Sequence, residues 1–137
     1  MAPIKSSSSF SLLIVEDDQA TCDIMTRMVA EAFPDCSIYT AGNGVLGLLL
    51  FERFTPGIII TDINLPVMDG IEMVRKIRLV DANAKCIVIT AYNDKITFDK
   101  FKDIGISAYL VKPLDFKGLF AAIEKCVGEI HLKEEWF

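Results

Sequence analysis

The chain has 137 residues, of which 52% are hydrophobic and 24% are charged. This size suits one domain with a full core, and the composition excludes a disordered or collagen-like chain. The formal net charge of −5 argues against direct binding to nucleic acid or to an anionic membrane. The longest apolar run, Val45 to Phe51, is far shorter than the roughly 20 residues of a membrane-spanning helix. Residues 1–10 lack the apolar core of a signal peptide, so we expect a cytoplasmic protein.

The cysteines are spread along the chain without a Cys-x-x-Cys pair, and His131 is the only histidine. This spacing does not favour a zinc site. In a reducing compartment we expect each cysteine to be a small, buried or half-buried apolar side chain. The four are Cys22, Cys36, Cys86 and Cys126.

Composition divides the chain into three segments. Residues 1–9 contain a run of four serines and are typical of a linker or disordered lead. Residues 10–130 carry the apolar periodicity of the folded domain. Residues 131–137 form a predicted C-terminal tail, in which Trp136 and Phe137 are candidates for an interface or for continuation into an output region.

The apolar pattern changes its period repeatedly along the domain. Short all-apolar runs predict buried strands, and apolar residues at helical spacing predict helices. Asp18 and Asp69 are predicted helix N-caps, the second in a capping box with Glu72. In chain order the predicted elements are a strand at Leu12–Val15, a helix at Gln19–Phe33, a strand at Ser37–Ala41, a helix at Val45–Phe54, a strand at Ile58–Ile60, a helix after Asp69, a strand at Cys86–Ile89, a helix at Asp94–Ile104, a strand at Ala108–Val111 and a helix through Leu119–Ile130.

Strict alternation of strands and helices predicts an α/β fold with a doubly wound, five-stranded parallel sheet and five flanking helices. In the strand order 2-1-3-4-5, a common arrangement of such sheets, the first and third strands are neighbours. Ligands bind outside the carboxyl ends of the strands, where the winding reverses. We therefore expect the functional site at that edge.

Polar or ionisable residues follow four of the five predicted strands. In the order 2-1-3-4-5, Glu16, Asp17 and Asp62 share one pocket, where each close pair of carboxylates repels by about 4 kcal/mol at an effective dielectric of about 20. Such a site requires a cation, and oxygen ligands without histidine or cysteine favour Mg²⁺. With Lys112 and Thr90, this site suits phosphoryl transfer to a carboxylate nucleophile. The strand-end segments are Glu16-Asp17-Asp18, Thr61-Asp62, Thr90-Ala91 and Lys112-Pro113.

Each of these residues alone also has a plain structural explanation. Acidic residues at strand ends are often solvated or cap the next helix, as we expect for Asp18. Thr90 alone is an ordinary strand residue, and Lys112 alone is an ordinary surface lysine. The functional interpretation depends on their coincidence at one edge of the sheet.

Four segments resemble the receiver domain of two-component response regulators, a family with a flavodoxin-like fold. The separations from Asp17 to Asp62, from Asp62 to Thr90 and from Thr90 to Lys112 are 45, 28 and 22 residues, which suit the family. Four segments in this order form a specific signal. They are Leu12–Asp18, Ile60–Gly70, Ile87–Ala91 and Tyr109–Pro113, within a similarity that covers about Phe10 to Gly128.

The resemblance implies a phosphoacceptor and a metal site. Asp62 is the expected phosphoacceptor, taking a phosphoryl group from a histidine of a sensor kinase or a histidine phosphotransfer domain. Mg²⁺ would bind Asp17 and Asp62, the backbone carbonyl of Asn64 and, through a water, Glu16. Glu16 replaces the aspartate that is more frequent in the family, and its longer side chain still suits a water-mediated role.

The resemblance also implies a switch. Thr90, Ala91 and Lys112 would bind phosphoryl oxygens, and the bond between Lys112 and Pro113 would be cis. After phosphorylation, Thr90 would move towards the phosphoryl group and Tyr109 would turn inward. The readout surface for an output domain or partner protein would be the fourth helix, the fifth strand and the fifth helix.

Further residues bear on this interpretation without deciding it. Phe98 and Phe101 on the fourth helix are candidates for partner contacts, although core packing is expected for at least one of them. Asn64 and Tyr92 occupy positions that influence phosphoryl hydrolysis in the family. His131 is not expected to be a phosphodonor, because no kinase or phosphotransfer motif surrounds it.

The resemblance implies a signalling domain and not an enzyme with an external substrate. The alternative is a receiver-like interaction module that is not phosphorylated. A metal-dependent phosphatase would need an Asp-x-Asp motif on the first strand, and a flavodoxin would need a Ser/Thr-rich phosphate loop after it. Val15-Glu16-Asp17 provides neither.

Overall fold

The structure is a computed structural model that describes residues 10–91 and 95–136, with side chains described as far as Leu132. Strands and helices alternate, as the apolar periodicity predicted. The strands are β1 (Ser11–Val15), β2 (Ser37–Ala41), β3 (Ile58–Asp62), β4 (Lys85–Thr90) and β5 (Ala108–Val111), and the helices are α1 (Gln19–Ala32), α2 (Gly44–Phe54), α3 (Gly70–Val80), α4 (Lys95–Ile104) and α5 (Phe116–Trp136).

The five strands form one parallel sheet in the order β2-β1-β3-β4-β5, which confirms the predicted fold class and strand order. Leu12 pairs with Ile38 of β2 on one side and with Ile58 of β3 on the other. The winding reverses on either side of β1, so the carboxyl ends of β1 and β3 lie next to each other.

Side chains of the central strands alternate between two core layers. Leu12 and Ile14 pack into the layer under α1 and α5. Leu13 and Val15 pack into the layer under α2, α3 and α4. Because helices cover both faces, every residue of β3 is buried, as the all-apolar run predicted.

Two helices begin directly after their predicted capping residues. The side chain of Asp18 accepts a hydrogen bond from the Thr21 N–H at 3.1 Å, and that of Asp69 accepts one from the Glu72 N–H at 2.8 Å. Both predicted N-caps are therefore confirmed. The last helix is longer than predicted, because α5 begins at Phe116 and continues through the predicted tail to Trp136.

Some predictions concern residues outside the described ranges. The predicted lead at 1–9, Tyr92, the predicted helix start at Asp94 and Phe137 all lie there, as does the side chain of Trp136. The domain boundaries therefore stay predictions. Within the described parts of the chain, no helix combines the length and the apolar character that a membrane span requires.

All four cysteines are free thiols, three of them buried and Cys36 half-buried, as predicted. Burial raises the pKa of Cys36 to about 12 and that of Cys86 to about 11. Both side chains are therefore neutral thiols near neutral pH, in keeping with a packing role.

Arg78 of α3 joins three segments at the amino-terminal edge of the sheet. Its Nε and Nη2 donate to the carbonyl of Gly105 at 3.1 and 2.6 Å. Its Nη1 donates to the carbonyl of Ala82 at 3.1 Å and to that of Ala84. Gly105 follows the last turn of α4 with a φ of 88°, a left-handed conformation that favours glycine. Arg78 thus fixes the end of α4 to α3.

Candidate functional site

The structure brings together residues at the carboxyl ends of β1, β3 and β5. The Nζ of Lys112 lies 2.5 Å from Oδ2 of Asp62 and 3.7 Å from Oε1 of Glu16. Glu16 is 6% exposed and Asp62 is 9% exposed, so both carboxylates are buried beside one lysine. Buried carboxylates require such compensation, because water cannot solvate their charge.

Glu16 is in an electrostatically unfavourable position for a carboxylate. Its pKa is raised, chiefly by burial. The N–H of Asp18, which donates to Oε2 of Glu16 at 3.2 Å, opposes this shift, whereas a hydrogen bond with Asp17 and the charge of Asp62 add to it. Glu16 therefore interacts with both neighbouring carboxyl groups, and a cation at this edge would relieve the repulsion between Glu16 and Asp62.

Lys112 supplies a fixed positive charge to the site. Partial burial by itself lowers the pKa of this lysine, but the hydrogen bond to Asp62 and the charges of Asp62 and Glu16 outweigh burial and raise it. Lys112 therefore stays protonated near neutral pH and can bind either a carboxylate or a phosphoryl oxygen.

Asp62 is held from both its side chain and its backbone. The Asn64 N–H donates to its Oδ1 at 3.2 Å, while Oδ2 contacts Lys112. The Thr61 hydroxyl donates to the Asp62 carbonyl at 2.8 Å. Gly70 lies so close that an added Cβ would be 2.2 Å from the Asp62 carbonyl oxygen. Sequence reasoning missed this role of Gly70, since only the packed structure shows that a side chain has no room there.

The loop from Ile63 to Asp69 follows Asp62 and is tightly folded. The Leu65 and Gly70 N–H groups both donate to the Ile63 carbonyl, at 3.0 and 2.8 Å, and the Met68 N–H donates to the Pro66 carbonyl at 2.8 Å. Val67 has a φ of 69° although it is β-branched and 81% exposed. This conformation is strained for valine, so the surrounding structure must impose it.

The remaining predicted site residues lie at the ends of β4 and β5. Thr90 ends β4 and is fully buried, and Ala91 follows it at the surface. The Lys112 N–H donates to the Thr90 carbonyl at 2.8 Å, which ties the two strand ends together. The peptide bond between Lys112 and Pro113 is cis.

Tyr109 of β5 is half-buried and contacts both aromatic residues of α4. Its ring centroid lies 5.3 Å from that of Phe98, edge-on, and 6.2 Å from that of Phe101. Phe101 is fully buried, whereas Phe98 is 42% exposed. One phenylalanine therefore belongs to the core, as expected for at least one, and the other lies at the surface beside Tyr109.

A comparison with family models decides the identity of this arrangement. The response regulator receiver domain model matches residues 12–124, which include the acidic edge, Thr90 and Lys112. The chain belongs to this family. Receiver domains take part in two-component signal transduction and are generally not catalytic enzymes.

Relatives of this receiver domain occur both alone and within longer regulators. Sporulation initiation phosphotransferase F of Bacillus subtilis is 26% identical over 113 residues, which cover 82% of this chain and 90% of that protein. The probable C4-dicarboxylate response regulator DctR of Halalkalibacterium halodurans is 32% identical over 113 residues, 82% of this chain but only 49% of that regulator. The chain thus spans about half the length of some curated relatives.

Solved structures show the same fold. A response regulator receiver domain protein (CheY-like) from Methanospirillum hungatei has a TM-score of 0.84 at 26% identity, covering 92% of this chain and 99% of that one. The N-terminal domain of a protein from Wolinella succinogenes also has a TM-score of 0.84, at 31% identity, covering 90% and 98%.

The donor set of this receiver domain fits Mg²⁺. Glu16 interacts with both Asp17 and Asp62 at one edge, and the N–H of Asn64 places its backbone beside Asp62. Within the described ranges, no three acidic, histidine or cysteine side chains form a ready-made metal cluster. Mg²⁺ does not need one, because it binds one or two carboxylates and completes its shell with carbonyl, water and phosphoryl oxygens.

Proposed function

We propose that this receiver domain is a Mg²⁺-dependent phosphoacceptor in a two-component phosphorelay, with Asp62 as the phosphorylated residue. The observation that carries the proposal is the partly buried contact of 2.5 Å between Asp62 and Lys112, a lysine that also pairs with Glu16. The donor is a histidine of a sensor kinase or phosphotransfer domain. The donor and this receiver domain both act in the cytoplasm. The similarity to a sporulation phosphotransferase supports a place in a phosphorelay.

The chain's own groups hold the reacting atoms. Asp62 attacks the phosphorus, so its O–P bond forms as the N–P bond of the phosphohistidine breaks. Lys112 already contacts Asp62. It can also bind a phosphoryl oxygen as negative charge develops there, together with Thr90 and the backbone of Ala91. Phosphorylation then turns a carboxylate that contacts Lys112 into a larger dianion at the same place.

Mg²⁺ would be held by Asp17, Asp62 and the Asn64 carbonyl, with Glu16 acting through water. The ion would supply positive charge against the carboxylates and the transferring phosphoryl group. The residues provide oxygen ligands of the type that Mg²⁺ prefers, and the burial of Glu16 beside the charge of Asp62 favours a cation at this site.

The readout follows from the position of Thr90 and Tyr109. Thr90 shifts towards the phosphoryl group, and Tyr109 turns into the space that becomes free. An output domain or partner protein then recognises the changed surface of α4, β5 and α5. The partial exposure of β5 and of Phe98 supports this surface, since both are accessible to a partner.

Intact-mass measurement tests the phosphoacceptor directly. We expect acetyl phosphate to add one phosphoryl group to the wild type in the presence of Mg²⁺, and none after Mg²⁺ is chelated. Asp62→Asn should abolish the addition. Asp69→Asn is the matched control, because it changes an exposed aspartate of the same loop and retains a good N-cap for α3.

A negative result would identify the alternative function. If the wild type gains no phosphoryl group, even when sampled fast enough to exclude hydrolysis and offered a phosphohistidine donor, the chain is an unphosphorylated interaction module. Addition that persists in Asp62→Asn would place the phosphoacceptor at another residue.

A further inference from the structure

The loop from Ile63 to Asp69 carries the Asn64 carbonyl, and its backbone touches the first turn of α2. We propose that the amino-terminal end of α2, through Asn43 and Gly44, positions this loop for Mg²⁺ binding. Asn43 and Gly44 are positioning residues, because they act through the loop and contact neither phosphoryl group nor cation. The inference rests on the proposed function for the identity of the cation.

Gly44 and Met68 form the contact between α2 and the loop. A Cβ added to Gly44 would lie 2.1 Å from the Met68 carbonyl oxygen, 2.8 Å from its carbonyl carbon and 2.9 Å from its Cβ. These distances are shorter than any van der Waals contact of carbon, and two of the three atoms are backbone. The two backbones therefore meet without an intervening side chain.

The helix α2 is fixed against β1 and α3. One turn after Gly44, a Cβ added to Gly47 would lie 3.1 Å from Cγ2 of Val15 and 2.7 Å from Sδ of Met73. The side chain of Asn43 caps the helix by accepting the Leu46 N–H at 2.8 Å. Because α2 packs this closely on β1 and α3, a displacement of its first turn would disturb that packing.

The loop has little freedom to absorb a displacement of Met68. Pro66 has a fixed φ, and the Met68 N–H is bonded to the Pro66 carbonyl. Val67 already lies in the left-handed region, while its exposed side chain makes little contact that would hold it there. The contact with α2 lies at the residue next to Val67, so a displacement of Met68 would pass along the loop towards Asn64.

Glycine-to-alanine variants of the same connection test the proposal. We expect Gly44→Ala to weaken Mg²⁺ binding by about tenfold, because the added Cβ would displace the Met68 backbone and with it the loop that supports the cation. Gly42→Ala is the matched control, because a Cβ there meets no atom within 4 Å, and it should leave binding unchanged. Isothermal titration with MgCl₂ alone, without phosphodonor, gives the dissociation constant, and circular dichroism gives the folded fraction.

A second pair of variants avoids the steric clash in case Gly44→Ala does not fold. Asn43→Ala removes the cap of α2 and should weaken Mg²⁺ binding by about threefold, whereas Asn43→Ser retains a cap and should restore it. A general loss of stability would lower the melting temperature without changing the Mg²⁺ affinity of the folded protein.

The outcomes separate this inference from the proposed function. Wild-type Mg²⁺ affinity in folded Gly44→Ala, or equal affinities in Asn43→Ala and Asn43→Ser, would overturn the positioning role. A wild type that does not bind Mg²⁺ would overturn it too. A wild type that binds Mg²⁺, loses affinity in Gly44→Ala and yet accepts no phosphoryl group would retain the positioning role and reject the phosphoacceptor.

Discussion

The sheet differs sharply between its centre and its β5 edge. From Leu12 onward β1 is buried, as is all of β3, whereas no residue of β5 is fully buried. The flanking helices differ in the same way, since α3 buries four residues and α4 buries Phe101 alone. The acidic residues of the site stand on the well-packed part, while Lys112 and Tyr109 stand on the loosely packed part.

This difference separates the residues that would hold Mg²⁺ from the residues that would respond to phosphorylation. Segments with few buried apolar contacts open at a lower free energy than the core does. The carboxylates that would bind Mg²⁺ therefore stand on a rigid base, and the groups that would respond to a phosphoryl group stand on a base that moves more easily. This division leads to three predictions, from the largest expected effect to the smallest.

The largest effect on stability is expected at Phe101, the one buried side chain of α4. Phe101→Ala should lower the free energy of unfolding by about 3–5 kcal/mol, because Phe101 is fully buried. Phe98→Ala, three residues earlier, should lower it by about 1 kcal/mol, mostly through the lost edge-on contact with Tyr109. Urea denaturation followed by circular dichroism measures both. Equal losses would contradict the view that Phe101 is the main apolar anchor of α4.

Amide hydrogen exchange measures the difference between centre and edge strand by strand. The amides of β3 should exchange only through global unfolding, and those of α4 and β5 at least about 30-fold faster through local opening, a difference of about 2 kcal/mol. The other edge strand, β2, is the control, since it too is partly exposed but lies far from α4. If β2 and β5 exchange alike, the difference reflects edge position and not the packing of α4.

The smallest effect is expected at Glu16 on the rigid side. Because its pKa is raised above the ordinary value of 4.5, the ionised side chain destabilises the fold as the pH rises through the folded-state pKa. Without Mg²⁺ near neutral pH, Glu16→Gln should therefore raise the melting temperature by roughly 3 °C. The gain should vanish as the pH falls below 4.5, where the carboxyl group is protonated in both states.

An exposed glutamate provides the control for this pH dependence. Glu31 of α1 lies at the surface, so Glu31→Gln should leave the melting temperature unchanged across the same pH range. A gain in Glu16→Gln that is the same at every pH would show that hydrogen bonding or packing, and not charge, limits this position.

Most of the fold could be predicted because the sequence repeats one simple pattern. All-apolar runs mark strands covered on both faces, and Asp18 and Asp69 mark helix starts through local capping that needs no tertiary contact. The length of α5 was underestimated at its carboxyl end, because the residues after Ile130 are mostly polar and do not continue the apolar stripe. A Cβ at Gly128 would meet no atom within 4 Å, so this glycine neither ends the helix nor fits a close contact.

The site could be predicted only in part. Topology determines which strand ends meet, so the proximity of Glu16, Asp62 and Lys112 followed from the strand order. The tight contacts of Gly44 and Gly70 could not be foreseen, because each depends on a backbone that approaches from elsewhere in the chain. The left-handed conformation of Val67 could not be foreseen either, since a β-branched residue disfavours that region.

Arg78 restricts how α4 can move. Its guanidinium holds the Gly105 carbonyl with two donors, so the carboxyl end of α4 is a fixed point relative to α3. Any rotation of α4 must then have its pivot near Gly105 and its largest amplitude about ten residues away, near Lys95. If α4 rotates, distances from a spin label on its first turn to a label on α3 would change most. Distances from a label beside Gly105 to α3 would stay constant.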